Sequence, residues 1–565
     1  MRLVADCIAA TLKAHRVEVM FALVGSGNFY TANAITRENI RFITTRHECA
    51  AVAAADGYFR STRKIGMATC HTGPGLTNTI LALAEAAKAN SSIVVLAADT
   101  PAAARNSNSR IDQHGLVESI GAVAEQIYGP DSVGKDIARA FYRAKVERRP
   151  VVVMMATNVQ ESHAPDDFTP PSELPVPDIS WPNPEAIVKV ADLVQSSARP
   201  VIIGGRGVFL ADGKEDLVAL GDRIGALLAT SAMGNGMFHD NPWNIGISGG
   251  FATPAAVELI SSSDLILGFG ATLNQWTTRN GALLNEEVKV VQFDLKTEIR
   301  TSFRPADLHV VGDAAAAAKL LVNELSNRDY SAPGYRNTAL QEKLENRRFW
   351  NQEEYESGDG VIDPRALSDA LDKMLPLDKN LAIDGGHFMG WPSMFIRVPD
   401  PSRFVFPNAS MPVGLGLGAG IGAAIADPDQ PTIIAIGDGG ALMTLGELET
   451  ISRFKLPVLV VVYNDAAAGA EALHYGPLGY DLETVVFEET DFASVGEALG
   501  IPSISVRNIA DLEPVREWSR TLKGPMLIDA KVDPAICADF LEEAFRNSDH
   551  PTADAPSSKK KKVQA

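Results

Sequence analysis

A chain of 565 residues, 46% of them apolar, is too long for a single hydrophobic core and suits three or four domains. Its net charge of −19 argues against a nucleic-acid partner, and no apolar run approaches the roughly 20 residues of a membrane helix. The start, Met1-Arg2-Leu3-Val4-Ala5-Asp6, places an acid where a secretory leader would be apolar. Cys7, Cys49, Cys70 and Cys537 are isolated among apolar neighbours, as in reduced structural thiols, so a cytoplasmic protein is expected.

Short apolar runs of strand type alternate with longer helical stretches throughout, the pattern of doubly wound parallel α/β sheets. Three such blocks are expected, 1–165, 186–326 and 363–545. A linker from His163 to Glu185, carrying seven prolines, separates the first two. A polar connector from Asn327 to Asp363, with a helix over Thr338 to Arg348, separates the second and third. Residues 546–565, with lysines at 559–562, read as a solvated tail.

In the first block a loop carries Gly25-Ser26. Phe42 to Thr45 is then predicted as a strand and Glu48 to Phe59 as a helix. Lys64 to Thr69 is a second strand, opening onto His71-Thr72-Gly73-Pro74-Gly75. A glutamate at a helix start is commonly an exposed first-turn residue favoured by the helix dipole. Here Cys49 to Ala55 are apolar, so the helix should be buried, and a buried carboxyl keeps its proton or finds a specific partner. The middle block has strands Pro200 to Ile203, ending at Gly204-Gly205-Arg206-Gly207, and Leu265 to Gly268, ending at Phe269-Gly270.

In the last block Leu381 to Ile383 runs into Asp384-Gly385-Gly386-His387, and Thr432 to Ile436 into Gly437-Asp438-Gly439-Gly440. Pro457 to Tyr463 then runs into Asn464. A crossover helix is expected over Met443 to Arg453. Every candidate loop thus sits at the carboxyl end of a strand, where open α/β sheets bind ligands. A lone Asp-Gly-Gly is usually a tight turn. Neighbouring strand tips, however, would bring the Asp438 carboxylate and the Asn464 amide oxygen to one Mg²⁺. The Ala466 carbonyl, phosphate oxygens and water would complete about six ligands. Gly439 and Gly440 leave the backbone open to a diphosphate. The glycines of Val413 to Gly422 lack the GxGxxG order of a dinucleotide loop and equally suit close helix packing.

The strand, Gly-Asp-Gly turn, helix and strand ending in Asn464 resemble the cofactor-binding motif of thiamine diphosphate (ThDP) enzymes. Arg46-His47-Glu48, with His71-Thr-Gly-Pro-Gly-Leu-Thr-Asn78, resembles the pyrimidine-binding domain of acetolactate synthase and its relatives. The resemblance covers about residues 1–540 and implies ThDP and Mg²⁺ as cofactors. Glu48 would activate the pyrimidine N1′, and Val413, or else Met411, would be the apolar wedge under the cofactor. Further cofactor contacts are implied at Gly385, His387, Leu415, Gly439, Gly440 and Met443. Asp438, Asn464 and Ala466 would hold the metal. A homodimer or homotetramer is implied, with each active site at a dimer interface and Glu48 of one chain serving the cofactor of the other.

The family resemblance splits on chemistry. Acetolactate synthases usually carry Gly-Gly at Gly25-Ser26, aromatic-Gln-Glu at Ile111-Asp112-Gln113 and Lys at Glu125. FAD is doubtful, since the Arg that flavin-containing members place near Thr272 is missing. Ser26 and His71 fit benzoylformate decarboxylase-like enzymes, with Ser26 on a substrate carboxylate and His71 or Gln113 as further catalytic candidates. His71 is equally expected as a structural histidine bonded to backbone. Glu471, His474 and Tyr475 are candidates for an acceptor pocket, or ordinary residues of an outward-facing helix. The expected activity is decarboxylation of a 2-oxo acid and ligation to a second carbonyl compound. The alternatives are a non-ligating decarboxylase and a ThDP-binding regulatory protein without turnover.

Overall fold

The computed structural model of the chain describes residues 2–297, 305–345, 355 and 358–545. Among these residues the strands form three parallel sheets of six. The first holds β1 (Val19–Ala22), β2 (Arg41–Thr44), β3 (Gly66–Cys70), β4 (Ile93–Asp99), β5 (Val123–Gln126) and β6 (Val151–Ala156). The second holds β7 (Pro200–Gly204), β8 (Leu227–Thr230), β9 (Asn244–Ile247), β10 (Leu265–Phe269), β11 (Lys289–Asp294) and β12 (Leu308–Val311). The third holds β13 (Asn380–Ile383), β14 (Phe404–Val405), β15 (Thr432–Gly437), β16 (Val458–Asn464), β17 (Ser503–Val506) and β18 (Met526–Lys531). Central strands such as β4, β6 and β16 are near-continuous Val, Ile, Leu and Met because helices cover both sheet faces.

Strand order decides where loops gather. The orders are β2-β1-β3-β4-β6-β5, β12-β11-β10-β7-β8-β9 and β14-β13-β15-β16-β18-β17. In each sheet the chain leaves one strand in opposite directions, opening a crevice between β1 and β3, between β7 and β10, and between β13 and β15. Those crevices receive Gly25–Asn28 with His71–Gly75, Gly205–Gly207 with Gly270–Asn274, and Asp384–His387 with Gly437–Gly440. The sequence signals singled out at strand ends therefore converge in pairs.

The first and third sheets meet through two helices. Glu48–Thr62 packs along Gly416–Ala426, and the contact is backbone to backbone. A Cβ on Gly57 would lie 2.1 Å from the Ala419 carbonyl oxygen, and one on Gly422 would lie 2.1 Å from that of Ala54. The glycine run after Leu415 is thus explained by close helix approach. The expected crossover helix over Met443 to Arg453 is two short helices instead, Asp438–Met443 and Glu447–Arg453. The Thr444 hydroxyl donates back to the Gly440 carbonyl at 2.8 Å, closing the first helix. The helix expected over Thr338 to Arg348 is observed as Thr338–Glu345, and its expected last residues lie outside the described ones, as does the tail 546–565.

Candidate active site

Glu48 is the first residue of its helix and is buried. The turn before it is extended at His47, whose ring accepts from the Cys49 amide at 3.1 Å and caps the helix. One Glu48 carboxyl oxygen accepts from the Asn78 side chain at 3.0 Å. The other lies beside Gly75, where an added Cβ would sit 3.4 Å from it. The acid therefore faces the Thr72–Gly75 turn with one oxygen held and one available. Asn78 is a positioning residue that the sequence offered only as the last letter of a motif.

Ser26 and His71 come together. The Gly27 amide donates to His71 Nδ1 at 3.0 Å, so Nε2 carries the proton of the neutral ring. A Cβ on Gly25 would lie 2.8 Å from the His71 ring and one on Gly27 2.7 Å, so both glycines are needed for the loop to lie on it. Ser26 between them is exposed, and His71 is half-buried. His71 is thus bonded to backbone, as one expectation held, and still offers a proton-bearing edge. Gln113 is buried, accepting from the Gly73 amide at 2.7 Å and donating to the Ala98 carbonyl at 3.0 Å. Both ends of its amide thus hold backbone and fix the turn, and at 2% exposure the side chain is closed in. Glu125 pairs with Arg139 and Arg143.

In the third sheet Gly437 pairs in register with Tyr463, so Asp438 and Asn464 follow side by side. The Asn464 side-chain nitrogen donates to the Thr490 carbonyl at 2.9 Å and to the Asp529 carboxylate at 3.0 Å. Asp529 is itself fully buried, paired with Lys531 at 2.8 Å and accepting from the Phe492 amide. These bonds fix the amide orientation and leave Asn464 Oδ1 buried without a partner. An orphaned buried acceptor is costly unless something binds it. Burial pushes the Asp438 carboxyl up from its usual range, and burial with Asp438 nearby pushes Asp465 up to about 7. A hard cation would satisfy the amide oxygen and relieve both carboxyls, so the donor set fits Mg²⁺. The Ala466 carbonyl accepts from the Phe487 amide at 2.8 Å, which leaves one lone pair for a cation.

Around this turn Gly439 has open space where a side chain would project, whereas a Cβ on Gly440 would lie 2.2 Å from the Asp384 carboxylate. Asp384, fully buried, accepts from the amides of Gly414, Leu415 and Gly416 at 2.9–3.0 Å and so fixes the loop carrying Val413. Sequence reasoning passed over Asp384, although an acid at a strand tip before Gly-Gly was the available signal. Val413 is 37% exposed and lies over Gly440, whereas Met411 faces a different cavity. Leu415 is buried in the core, so its side chain is not available to a ligand; Met443 is 65% exposed.

His387 is buried, and its Nε2 accepts from the Ala538 amide at 2.9 Å. Burial pulls its imidazole down from 6.5 to about 4. The folded chain favours the neutral ring, so this contribution is complete above the ordinary imidazole value and is lost as pH falls toward 4. Amides of 536–541 are therefore expected to exchange on the order of tenfold faster at about pH 5 than at pH 7, after correction for intrinsic rates. Hydrogen exchange measured by mass spectrometry checks this, and a Phe at position 387 should remove the pH dependence.

The segment Gly469–Tyr475 has no buried residue, and His474 stacks on Phe545 with centroids 3.8 Å apart. In the second sheet a cavity of about 500 Å³ opens at the β7/β10 crevice. Thr272 lines it, and its guanidinium groups come from Arg148 and Arg206, not from a residue near Thr272. No helix among the described residues is long and apolar enough to cross a membrane.

Three family descriptions match the chain: thiamine pyrophosphate enzyme, N-terminal TPP binding domain over 2–123, central domain over 187–321, and C-terminal TPP binding domain over 384–530. The chain is 27% identical to a probable acetolactate synthase large subunit of Methanocaldococcus jannaschii, over 94% of this chain and 92% of that one. It is 25% identical to a sulfoacetaldehyde acetyltransferase of Rhodobacter capsulatus, over 96% of each. It is 27% identical to 2-hydroxyacyl-CoA lyase 2 of Caenorhabditis elegans, over 88% of this chain and 83% of that one.

Proposed function

We propose, for a chain that belongs to the acetolactate synthase-like family of thiamine diphosphate-dependent enzymes, decarboxylation of a 2-oxo acid and ligation of the remaining fragment to a second carbonyl compound. One observation carries the reading. A buried carboxyl at Glu48 faces the Thr72–Gly75 turn of the first sheet's crevice, and an oriented, orphaned amide oxygen at Asn464 ends the strand beside that of Asp438 in the third sheet. When bound, ThDP supplies a nucleophilic thiazolium carbon and an electron sink for the loss of CO₂.

The chain's own residues do the rest. Glu48 holds a proton at the pyrimidine N1′, with Asn78 fixing its carboxyl. Asp438 and Asn464 hold Mg²⁺ and, through it, the diphosphate, with the free lone pair of Ala466 in support. Gly385, His387, Gly439, Gly440 and Met443 surround that end, and Val413 supports the cofactor from below. The Ser26 hydroxyl takes the substrate carboxylate, and the His71 Nε2–H donates a hydrogen bond to the substrate oxygen. Gln113 keeps the turn beneath them in place. The exposed apolar side chains Phe29 and Tyr30 beside Ser26, and Leu442 and Met443 beside the metal turn, support a homodimeric interface across the site. Glu48 of one chain then serves the cofactor held by another, in a homodimer or a homotetramer in the cytoplasm.

A second reading rests on His71. His71 is half-buried, so water can reach its Nε2–H edge, and a water held there can deliver the proton that releases an aldehyde without ligation. Product analysis by NMR separates the two. Pyruvate and benzoylformate are supplied with Mg²⁺ and ThDP, alone and with an added aldehyde such as sulfoacetaldehyde. A mixed hydroxyketone, acetolactate or another ligated product is expected. Free aldehyde and CO₂ in every mixture would establish the decarboxylase instead.

A further inference from the structure

The residues just before Glu48 are held by the other half of the chain. Glu447 opens the helix Glu447–Arg453, nine residues after Asp438, and is 1% exposed. One of its carboxyl oxygens accepts from the backbone amides of Arg46 and His47, each at 2.9 Å, and the other accepts from the Thr450 hydroxyl at 2.8 Å. The same helix holds this turn twice more. Arg453 donates to the hydroxyl and carbonyl of Thr44 at 2.7 and 2.6 Å, and Glu449 takes the Arg46 guanidinium with two bonds of 2.6 Å. Gly446 lets the turn come close, since a Cβ there would lie 3.3 Å from that of Arg46.

The link back to the metal turn is short. The Glu447 amide donates to the Thr444 carbonyl at 2.9 Å, and the Thr444 hydroxyl donates to the Gly440 carbonyl at 2.8 Å. From Asp438 to Glu48, then, the path runs through two short helices hydrogen-bonded to each other and one buried carboxylate on two amides. A side chain that accepts two consecutive backbone amides fixes position and direction together, as surface ion pairs do not.

We propose that Glu447 is a positioning residue that couples occupation of the metal–diphosphate turn to the placement of Glu48 in the same chain. The proposal rests on the functional reading of Asp438, Asn464 and Glu48 given above. In a dimer where the acid of one chain serves the cofactor of the other, this grip joins the two active sites. Loading one diphosphate site sets the acid of the neighbouring one.

The test uses inorganic pyrophosphate with Mg²⁺, which fills the diphosphate site and has no pyrimidine to touch Glu48. Hydrogen exchange of the full-length protein is read at 438–445 and at 44–50. In the wild type, pyrophosphate and Mg²⁺ should slow exchange at both segments, by about tenfold at 44–50. Glu447→Ala should keep the protection at 438–445 and lose it at 44–50. Glu447→Gln, whose carbonyl oxygen still accepts from both amides, should stay within about threefold of the wild type. Protection of 44–50 in Glu447→Ala equal to that of the wild type overturns the proposal. No protection at 438–445 in the wild type overturns the diphosphate reading itself, and the proposal with it. Should Glu447→Ala fail to fold, Arg453→Met decides the matter, since it loosens the hold on Thr44 without burying an orphaned amide. It should weaken the coupling at 44–50 by about threefold, and an unchanged coupling overturns the proposal.

Discussion

Glu48→Gln is expected to lower turnover by about three orders of magnitude while ThDP binding changes by less than about tenfold. The substitution keeps the volume of a side chain that is 7% exposed, and the Gln carbonyl oxygen can still accept from Asn78, now 3.0 Å from the acid. What it removes is the ability to hold and return a proton at the pyrimidine N1′. Because neither volume nor hydrogen-bond partner is lost, the fold should be unaffected, with the melting temperature of the metal-free protein within a few degrees. Steady-state kinetics beside a fluorescence titration with ThDP checks both halves. Normal binding with no turnover marks the acid as chemical. Undiminished turnover would remove Glu48 from the mechanism, and a broad substrate panel inactive for wild type and variant alike would favour a binding protein without catalysis.

Asp438→Ala should act in the opposite sense on the empty and loaded protein. Burial disfavours the Asp438 carboxylate and raises the neighbouring Asp465, so removing one of the pair relieves repulsion when no cation is present. The metal-free variant is expected to be as stable as the wild type or more so. The loaded variant should lose nearly all the stabilisation that ThDP and Mg²⁺ confer, about 2.7 kcal/mol for ligand at one hundred times its Kd. Thermal unfolding with and without Mg²⁺ and ThDP measures the difference. Asn464→Leu should give the same loss on loading, because it removes the orphaned oxygen and takes one of the donors from Asp529. A variant that still gains full stabilisation from both ligands would place the metal elsewhere.

Much of this site could be read along the chain because it is built at strand ends. Glu48, His71, Asp438 and Asn464 each lie at or just past the end of a parallel strand, and strand order then brings those ends together. The roles that depended on a side chain's partners were not legible. Gln113 looked like a catalytic amide, yet backbone groups take both its ends. Leu415 sits in the run expected to support the cofactor, and its side chain turns into the core while its amide goes to Asp384. The pairing of the Ala466 carbonyl with the Phe487 amide was likewise not legible, and it leaves one lone pair for the metal role read from position.

The positioning residues were hidden for a related reason. Asp384, Asp529 and Glu447 act on groups 30, 65 and about 400 residues away. No local spacing announces such a partner. An acid inside an apolar strand was the one clue, since a carboxylate as buried as Asp529 must have donors somewhere. The single crossover helix expected over Met443 to Arg453 failed on similar grounds. With its break at Thr444–Gly446 the chain brings Glu447 onto Arg46 and His47, a tertiary contact that helix propensity does not see.

The central claim is that Asp438 and Asn464 hold a metal that in turn holds the diphosphate of ThDP. Calorimetric titration of ThDP into protein stripped with a chelator, repeated after addition of Mg²⁺, tests it most directly. Negligible heat without the metal and saturation at one ThDP per chain with it is the predicted result. Binding of equal affinity in the presence and absence of Mg²⁺, or no binding in either, would contradict the account.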